Sequence, residues 1–142
     1  MIRVATFAIL CLTIVGCSVP MKQWPNESKE LVWTAMIAAA KSPDYSSNDP
    51  RKRWIVTENE VDVNAKLGRI IVHRKLARSL KLPRQKEQTD YREWFFLIQL
   101  SPEIEPKVTF DVPEMQFVPA RTVDEANRYF KLVDSLLQRS TD

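Results

Sequence analysis

Residues 91–100 read YREWFFLIQL, and this stretch decides the fold class. Successive side chains of an extended chain point to opposite faces, so Trp94 and Phe96 share one face of a strand. Phe95 and Leu97 make the other face apolar as well. A strand that is apolar on both faces is covered on both, so the pattern predicts a β-strand in the middle of a sheet.

Three neighbouring segments have a similar strand character. Residues 53–63 and 69–79 alternate in their side chains and contain many β-branched residues. Between them, Gly68 ends a turn in which a residue of positive φ is expected, which is typical of a hairpin. Residues 107–112 form a shorter apolar strand that ends at Pro113. The sequence therefore predicts an antiparallel sheet of three to four strands.

A helix is predicted on each side of these strands. Residues 29–41 contain no glycine or proline and are apolar on most sides, and Asn26 or Ser28 can cap their first turn. Near the C-terminus, Thr122 and Glu125 have the spacing of a capping box, and an apolar stripe follows at helical spacing. The predicted fold class is α+β: an antiparallel sheet with an N-terminal and a C-terminal helix packed on one face.

The first seventeen residues have the composition of an export signal. Arg3 is followed by residues 4–15, which carry no charge and are fewer than the roughly 20 apolar residues that span a bilayer. The stretch ends in a fixed order of aliphatic, aliphatic, small and cysteine residues, which resembles the lipobox of bacterial lipoprotein signal peptides. The resemblance implies recognition by a signal peptidase just before the cysteine. The four residues are Ile14, Val15, Gly16 and Cys17.

The resemblance also implies a division of the chain. Residues 1–16 would be the cleaved signal peptide, and Cys17 would become the lipidated first residue of the mature chain. Residues 17–27 would form a lipidated tether and residues 28–142 a single α+β domain. Trp24, within this tether, could lie at the membrane interface or pack on the domain, and both interpretations stay open.

Lipidation would place the protein in the cell envelope, with the membrane as its first partner. Three fatty acyl chains, such as palmitate, would hold the protein in the membrane far more firmly than one chain, which gives only marginal attachment. Ser18 stands where an aspartate would favour retention in the inner membrane. We therefore expect the outer membrane if the source has two membranes, and otherwise the outer face of the cytoplasmic membrane.

The predicted order of helix, strands and helix is also similar to the helix-grip units of BamC-like lipoproteins of β-barrel assembly. The likeness is one of element order and rests on no shared motif. It therefore concerns the fold and transfers no functional residue to this chain.

Scarce residue types exclude several kinds of site. The 142 residues include one His, two Cys and two Gly. Glycine-rich phosphate loops need several glycines, and a histidine-rich metal centre needs several histidines. Cys11 lies in the segment expected to be removed, so the mature chain would have no disulfide. We expect no metal site, no cofactor and no catalytic motif.

The charges are concentrated in one stretch, because residues 69–86 contain seven Lys or Arg residues, one His and no carboxylate. One hypothesis is a patch for an anionic partner, such as lipid headgroups, a wall polymer or an acidic protein surface. The alternative is a solvated strand face and loop that protect a sheet edge from pairing. Nucleic acid is not expected, since an exported chain would seldom meet it. The candidate residues are Arg69, Arg74, Lys75, Arg78, Lys81, Arg84 and Lys86.

Three functions from different classes are compatible with this sequence. Glu58 and Glu60 would project from one strand face, and paired carboxylates hydrolyse glycosides, so an envelope hydrolase acting on cell-wall glycan is one alternative. A cavity between helices and sheet would make the protein a carrier of lipid or another small ligand. His73 could in principle transfer a proton, but we expect it to be an exposed structural residue. The sequence favours a non-catalytic binding or accessory protein held at the membrane surface.

Overall fold

The computed structural model describes residues 19–113 and 119–140, so the predicted lipobox at 14–17 lies outside the described residues. Within these ranges one helix precedes the long strands and one follows them, and the α+β class is confirmed. The elements are β1 (Met21–Gln23), α1 (Lys29–Lys41), β2 (Ile55–Asn64), β3 (Arg69–Leu80), β4 (Gln88–Leu100), β5 (Lys107–Asp111) and α2 (Pro119–Arg139).

Five strands of the described ranges form one antiparallel sheet in the order β1-β5-β4-β3-β2, so the predicted three to four strands are too few. The additional strand is β1, which lies in the predicted tether at 17–27. The backbone N–H of Trp24 donates to the oxygen of Pro106, and that of Phe110 to the oxygen of Pro20, both at 2.9 Å. Most of the predicted tether therefore belongs to the domain.

Both helices pack on the same face of the sheet, as predicted. The hydroxyl of Tyr129 in α2 donates to the backbone oxygen of Met36 in α1 at 3.0 Å, and its ring lies 5.9 Å from that of Phe110 in β5. Trp24 packs on the domain: it is 7% exposed, and its indole N–H donates to Asp134 of α2 at 2.8 Å. The core between the layers includes Ile70, Val72, Trp94, Phe96 and Val133.

The two helices begin differently. Ser28 caps α1, because its hydroxyl accepts a hydrogen bond from the backbone N–H of Leu31 at 3.2 Å. α2 begins at Pro119, so Thr122 and Glu125 lie inside the helix and the capping-box prediction is wrong. Both residues are buried instead. Neither helix in the described ranges is long and apolar enough to cross a bilayer.

The two ends of the sheet carry different turns. The β2–β3 and β4–β5 turns lie at one end, and the β3–β4 hairpin lies at the other. Gly68 in the β2–β3 turn has a φ of 60°, as predicted, and a Cβ there would lie 3.0 Å from the backbone oxygen of Leu100. The length of β3 separates the two ends by roughly 36 Å. We call the side of the sheet toward the helices the covered face and the opposite side the open face.

Candidate functional site

The basic residues at 69–86 do not form one surface. Arg69 lies at the turn end of β3, and three cations lie in the hairpin at the other end. Arg74 is 3% exposed and lies on the covered face, so its assignment to an exposed anionic-partner patch is wrong. The physical reason is that a strand sends successive side chains to opposite faces, which divides a run of neighbouring cations. The hairpin cations are Lys81, Arg84 and Lys86.

Several charged side chains in the middle of the open face are paired with one another. Lys75 Nζ lies 2.7 Å from Glu58 Oε2. His73 Nε2 lies 2.6 Å from Glu93 Oε1, and its Nδ1 lies 3.6 Å from Glu60 Oε2. The hydrogen bond with Glu93 is the main cause that raises the pKa of His73. The two carboxylates considered for glycan hydrolysis therefore each have a basic neighbour in the adjacent strand.

Arg74 binds partners from three parts of the chain. Its Nε donates to Asn59 Oδ1 in β2 at 2.8 Å. Its Nη1 donates to the hydroxyl of Tyr45 at 3.0 Å, and its Nη2 donates to the backbone oxygen of Ala40 in α1 at 2.9 Å. The guanidinium thus has hydrogen bonds on all three nitrogens, as a buried charge requires.

Glu125 completes a buried group that we call the Arg74 centre: Arg74, Tyr45, Asn59 and Glu125. A carboxylate oxygen of Glu125 accepts from the Tyr45 hydroxyl and lies 3.6 Å from Arg74 Nη1. Burial raises the pKa of Glu125, and the hydrogen bond from Tyr45 and the charges of Arg128 and Arg74 oppose this shift. Burial also raises the pKa of Tyr45, which keeps the proton that it donates. The centre connects the sheet to both helices.

A second group of arginines surrounds Trp54 near the hairpin end of the covered face. Arg92 Cζ lies 4.4 Å from the centre of the Trp54 ring and 5.9 Å from that of Trp94. Arg78 Cζ lies 4.6 Å from the Trp54 ring. Arg78 is neutralised by Asp90, whose Oδ2 lies 2.7 Å from its Nη2. These contacts place two guanidinium groups against one indole.

Arg92 differs from Arg78 because no carboxylate is paired with it among the described residues. Burial is the main cause that lowers its pKa, and the charges of Arg121 and Arg78 lower the pKa further. In the part of the chain that the structure describes, Arg92 forms no hydrogen bond and no ion pair. Long charged side chains are seldom buried without such partners. We call Arg78, Arg92, Arg121 and Trp54 the Arg92 cluster.

The sequence contained a signal for both arginine groups that our prediction missed. Arg74 stands in the inward row of β3 between Val72 and Leu76, and Arg92 stands in the inward row of β4 beside Trp94. A charged residue at an inward position of an alternating strand indicates either a buried partner or a ligand. The sequence alone could not show which of the two applies, since the partners are far away in the chain.

The open face carries a row of apolar side chains across three strands, and the two outer ones are largely exposed. Ile55 in β2 pairs with Ala77 in β3, which pairs with Tyr91 in β4. Ile55 is 66% exposed and Tyr91 is 79% exposed. Phe95, further along β4, is also exposed, and its ring centre lies 6.3 Å from that of His73. We call Ile55, Ala77 and Tyr91 the open-face row.

An open cleft of about 540 Å³ lies at the end of the sheet opposite the β3–β4 hairpin, between α1 and the β2–β3 turn. Its apolar wall includes Trp33, Leu67 and Leu100, and Lys29 and Lys66 stand beside them. Such a wall suits a small apolar ligand, the kind that a carrier would hold. The described residues include no group of three or more His, Cys, Asp or Glu side chains that could hold a metal ion.

No protein-family model, curated protein or solved structure matches this chain. The geometry itself defines three candidate surfaces among the described residues: the open-face row, the Arg92 cluster and the cleft. The Arg74 centre is not a fourth, because its polar groups are buried and bonded to one another.

Proposed function

We propose that this chain is a small envelope lipoprotein that acts as a binding or accessory protein and has no catalytic activity of its own. The observation that carries the proposal is the open-face row, in which Tyr91 and Ile55 are largely exposed. Exposed apolar side chains that lie side by side favour association, because their burial removes apolar surface from water. Aromatic residues in particular are enriched where proteins bind one another.

The proposed anchor is an acylated Cys17. β1 begins at Met21, four residues after the cysteine. Since an extended chain spans at most about 3.6 Å per residue, the edge of the sheet would lie within ~14 Å of the lipidated residue. Such a short connection would hold the β1 edge of the sheet close to the membrane. The open-face row would lie farther along the sheet, because Tyr91 is roughly 26 Å along β4 from Gln99, which is level with Met21. The membrane would be the outer one in a source with two membranes, and otherwise the cytoplasmic one at its outer face.

The partner that best fits the open face is a protein. Beside the open-face row, Lys75 is paired with Glu58 and His73 with Glu93, so these charges are compensated within the chain. A lipid or wall polymer of high negative charge would find few free cations there. A protein can instead bury the exposed aromatic ring and keep the charged pairs at the rim of the interface.

Site-specific photo-crosslinking in cells that incorporate an alkyne-labelled palmitate tests the anchor and the surface together. A photoreactive residue replaces Tyr91 in one version and Ile104 in the matched control. Ile104 is 97% exposed and lies between β4 and β5, away from the open-face row. We expect an acyl-labelled adduct with one discrete protein from position 91 and none from position 104, because only the first lies in the proposed interface.

Two cysteine variants separate the anchor from the interface. Cys17→Ser should remove the acyl label, whereas Cys11→Ser should leave it, because only Cys17 would be retained and acylated. A label that persists in Cys17→Ser contradicts the anchor. Equal crosslinking from positions 91 and 104 contradicts the binding surface, whatever the label shows.

A further inference from the structure

We infer that the Arg92 cluster binds a phosphate group, whose oxygens Arg92 and Arg121 hold beside Trp54. The site lies on the covered face toward the hairpin, whereas the open-face row lies on the opposite side of the sheet. It is therefore a second binding site, and it does not depend on the proposed anchor or on the proposed protein partner.

The position of the Arg92 guanidinium is the first reason. The side chain is half-buried and its Cζ lies 4.4 Å from the centre of the Trp54 ring, so the indole helps to hold the group in place. A guanidinium carries five N–H donors in a rigid fork. In the described ranges none of these donors has a hydrogen-bond partner. A planar fork of this kind matches two oxygens of a phosphate.

The balance of charge is the second reason. Among the described residues, Arg78 is paired with Asp90 at 2.7 Å, whereas Arg92 and Arg121 form no ion pair. Glu125, whose charge Arg92 also senses, is engaged in the Arg74 centre. Two of these three guanidinium groups are thus left without an ion pair in the described ranges. Inorganic phosphate or a phosphate monoester carries about −1.5 to −2 charges at neutral pH, which fits this excess better than one carboxylate does.

The start of α2 also favours an anion, and the charge of Arg121 there is close enough to lower the pKa of Arg92. Arg121 stands in the first turn of this helix, which has no acidic residue. The first N–H groups of a helix lack partners within the helix, and its dipole is positive at this end. The hydroxyl of Thr122, in the same turn, is buried without a hydrogen-bond partner in the described ranges. The helix dipole, the charge of Arg121 and the unpaired hydroxyl of Thr122 therefore all favour a bound anion.

The phosphate could be free in solution or part of a lipid headgroup, because both present the same oxygens. The hairpin cations, Lys81, Arg84 and Lys86, extend from the same end of the sheet and would favour a lipid surface. Inorganic phosphate and short-chain phosphatidic acid are therefore the two probes. The tighter of the two identifies the source.

Isothermal titration calorimetry of the purified full-length chain tests the site with both probes at constant ionic strength. We expect saturable binding. Arg92→Gln and Arg121→Gln should each weaken binding by about tenfold or more, because each removes charge-assisted hydrogen bonds to the phosphate. Arg121 is exposed, so its variant tests the site without any change to the core.

The matched control is Arg69→Gln, which removes the same charge at the opposite end of β3. It should change the affinity by less than about twofold, since charges separated by more than a Debye length are largely screened. An equal loss of affinity in all three variants would show a diffuse attraction to positive charge and overturn the site. Failure of both probes to saturate the wild-type protein would also overturn it.

Discussion

Arg74 and Arg92 lie on the same covered face in neighbouring strands, where Arg74 pairs with Trp94 and Arg92 pairs with Leu76. Arg74 is almost fully buried, and all three of its nitrogens donate hydrogen bonds. Arg92 is half-buried and stacks on Trp54, yet no carboxylate binds it in the described ranges. The two side chains have the same chemistry and nearly the same place in the sheet, but their surroundings are opposite.

The two arginines are therefore expected to contribute differently to stability. Arg74 stabilises the folded state, whereas Arg92 contributes little to it. Removing one partner of a buried ion pair strongly destabilises a protein, because the other charge is left buried without compensation. Removing a cation that has no partner changes the free energy of unfolding little, because no opposite charge is left behind. The Arg74 centre is therefore structural, whereas the Arg92 cluster is arranged for an anion that comes from outside the chain.

The largest expected effect concerns the Arg74 centre. Arg74→Met leaves the buried carboxylate of Glu125 with only the more distant Arg128, at 3.8 Å, as an ion-pair partner. We expect the free energy of unfolding to fall by about 3–5 kcal/mol. Urea unfolding followed by tryptophan fluorescence measures this change, and Arg69→Met, at the turn end of the same strand, should shift it by no more than about 0.5 kcal/mol.

A double variant shows whether the loss comes from the buried carboxylate of Glu125. Arg74→Met with Glu125→Leu replaces both charges by apolar side chains, which is often neutral for stability. It should therefore recover most of the stability that Arg74→Met loses. A single variant that loses less than about 1 kcal/mol would show that Arg74 is worth no more than an exposed ion pair.

Local patterns in the sequence predicted the main layers of this fold. The alternation at 91–100 placed β4 between two other strands, and the helix pattern at 29–41 matches the bounds of α1. Gly68 was predicted from its place between two strands, and its φ of 60° confirms the turn. Each of these features depends on residues that are near one another in the chain, which is why the sequence was sufficient.

Features that depend on distant residues could not be predicted in the same way. β1 has only three residues and becomes a strand because β5 offers it a partner. Glu125 has the spacing of a capping box, but Tyr45 and Arg74 draw it into the core. Arg121 joins Arg92 only when α2 packs on the sheet. The candidate site is therefore a product of tertiary packing, whereas the basic run at 69–86 is a property of the sequence.

The smallest expected effect concerns the exposed ion pairs of the open face. The hydrogen bond with Glu93 raises the pKa of His73 above 6.5, so the protonated imidazole stabilises the folded state. This contribution is complete below pH 6.5 and is lost as the pH rises through the folded-state pKa. His73→Gln should remove this part of the pH dependence, at a cost of no more than about 0.5 kcal/mol at low pH.

Unfolding curves at several pH values between the acidic and neutral ranges measure this effect. Glu93→Gln should weaken the same pH dependence, because it removes the main cause of the raised pKa. An unchanged pH dependence in both variants would show that the pairs on the open face contribute nothing to stability. The contrast with the Arg74 centre would then be even larger than proposed.

The melting temperature of Arg92→Met, measured with and without inorganic phosphate, tests the contrast between the two arginines most directly. In phosphate-free buffer we expect this variant to melt no lower than the wild-type protein, because it loses an uncompensated charge. Phosphate should raise the melting temperature of the wild-type protein, since a ligand that binds only the folded state stabilises it, and should leave Arg92→Met unchanged. A variant that melts well below the wild-type protein without phosphate, and gains as much as the wild type when phosphate is added, would contradict the account and make Arg92 a structural residue like Arg74.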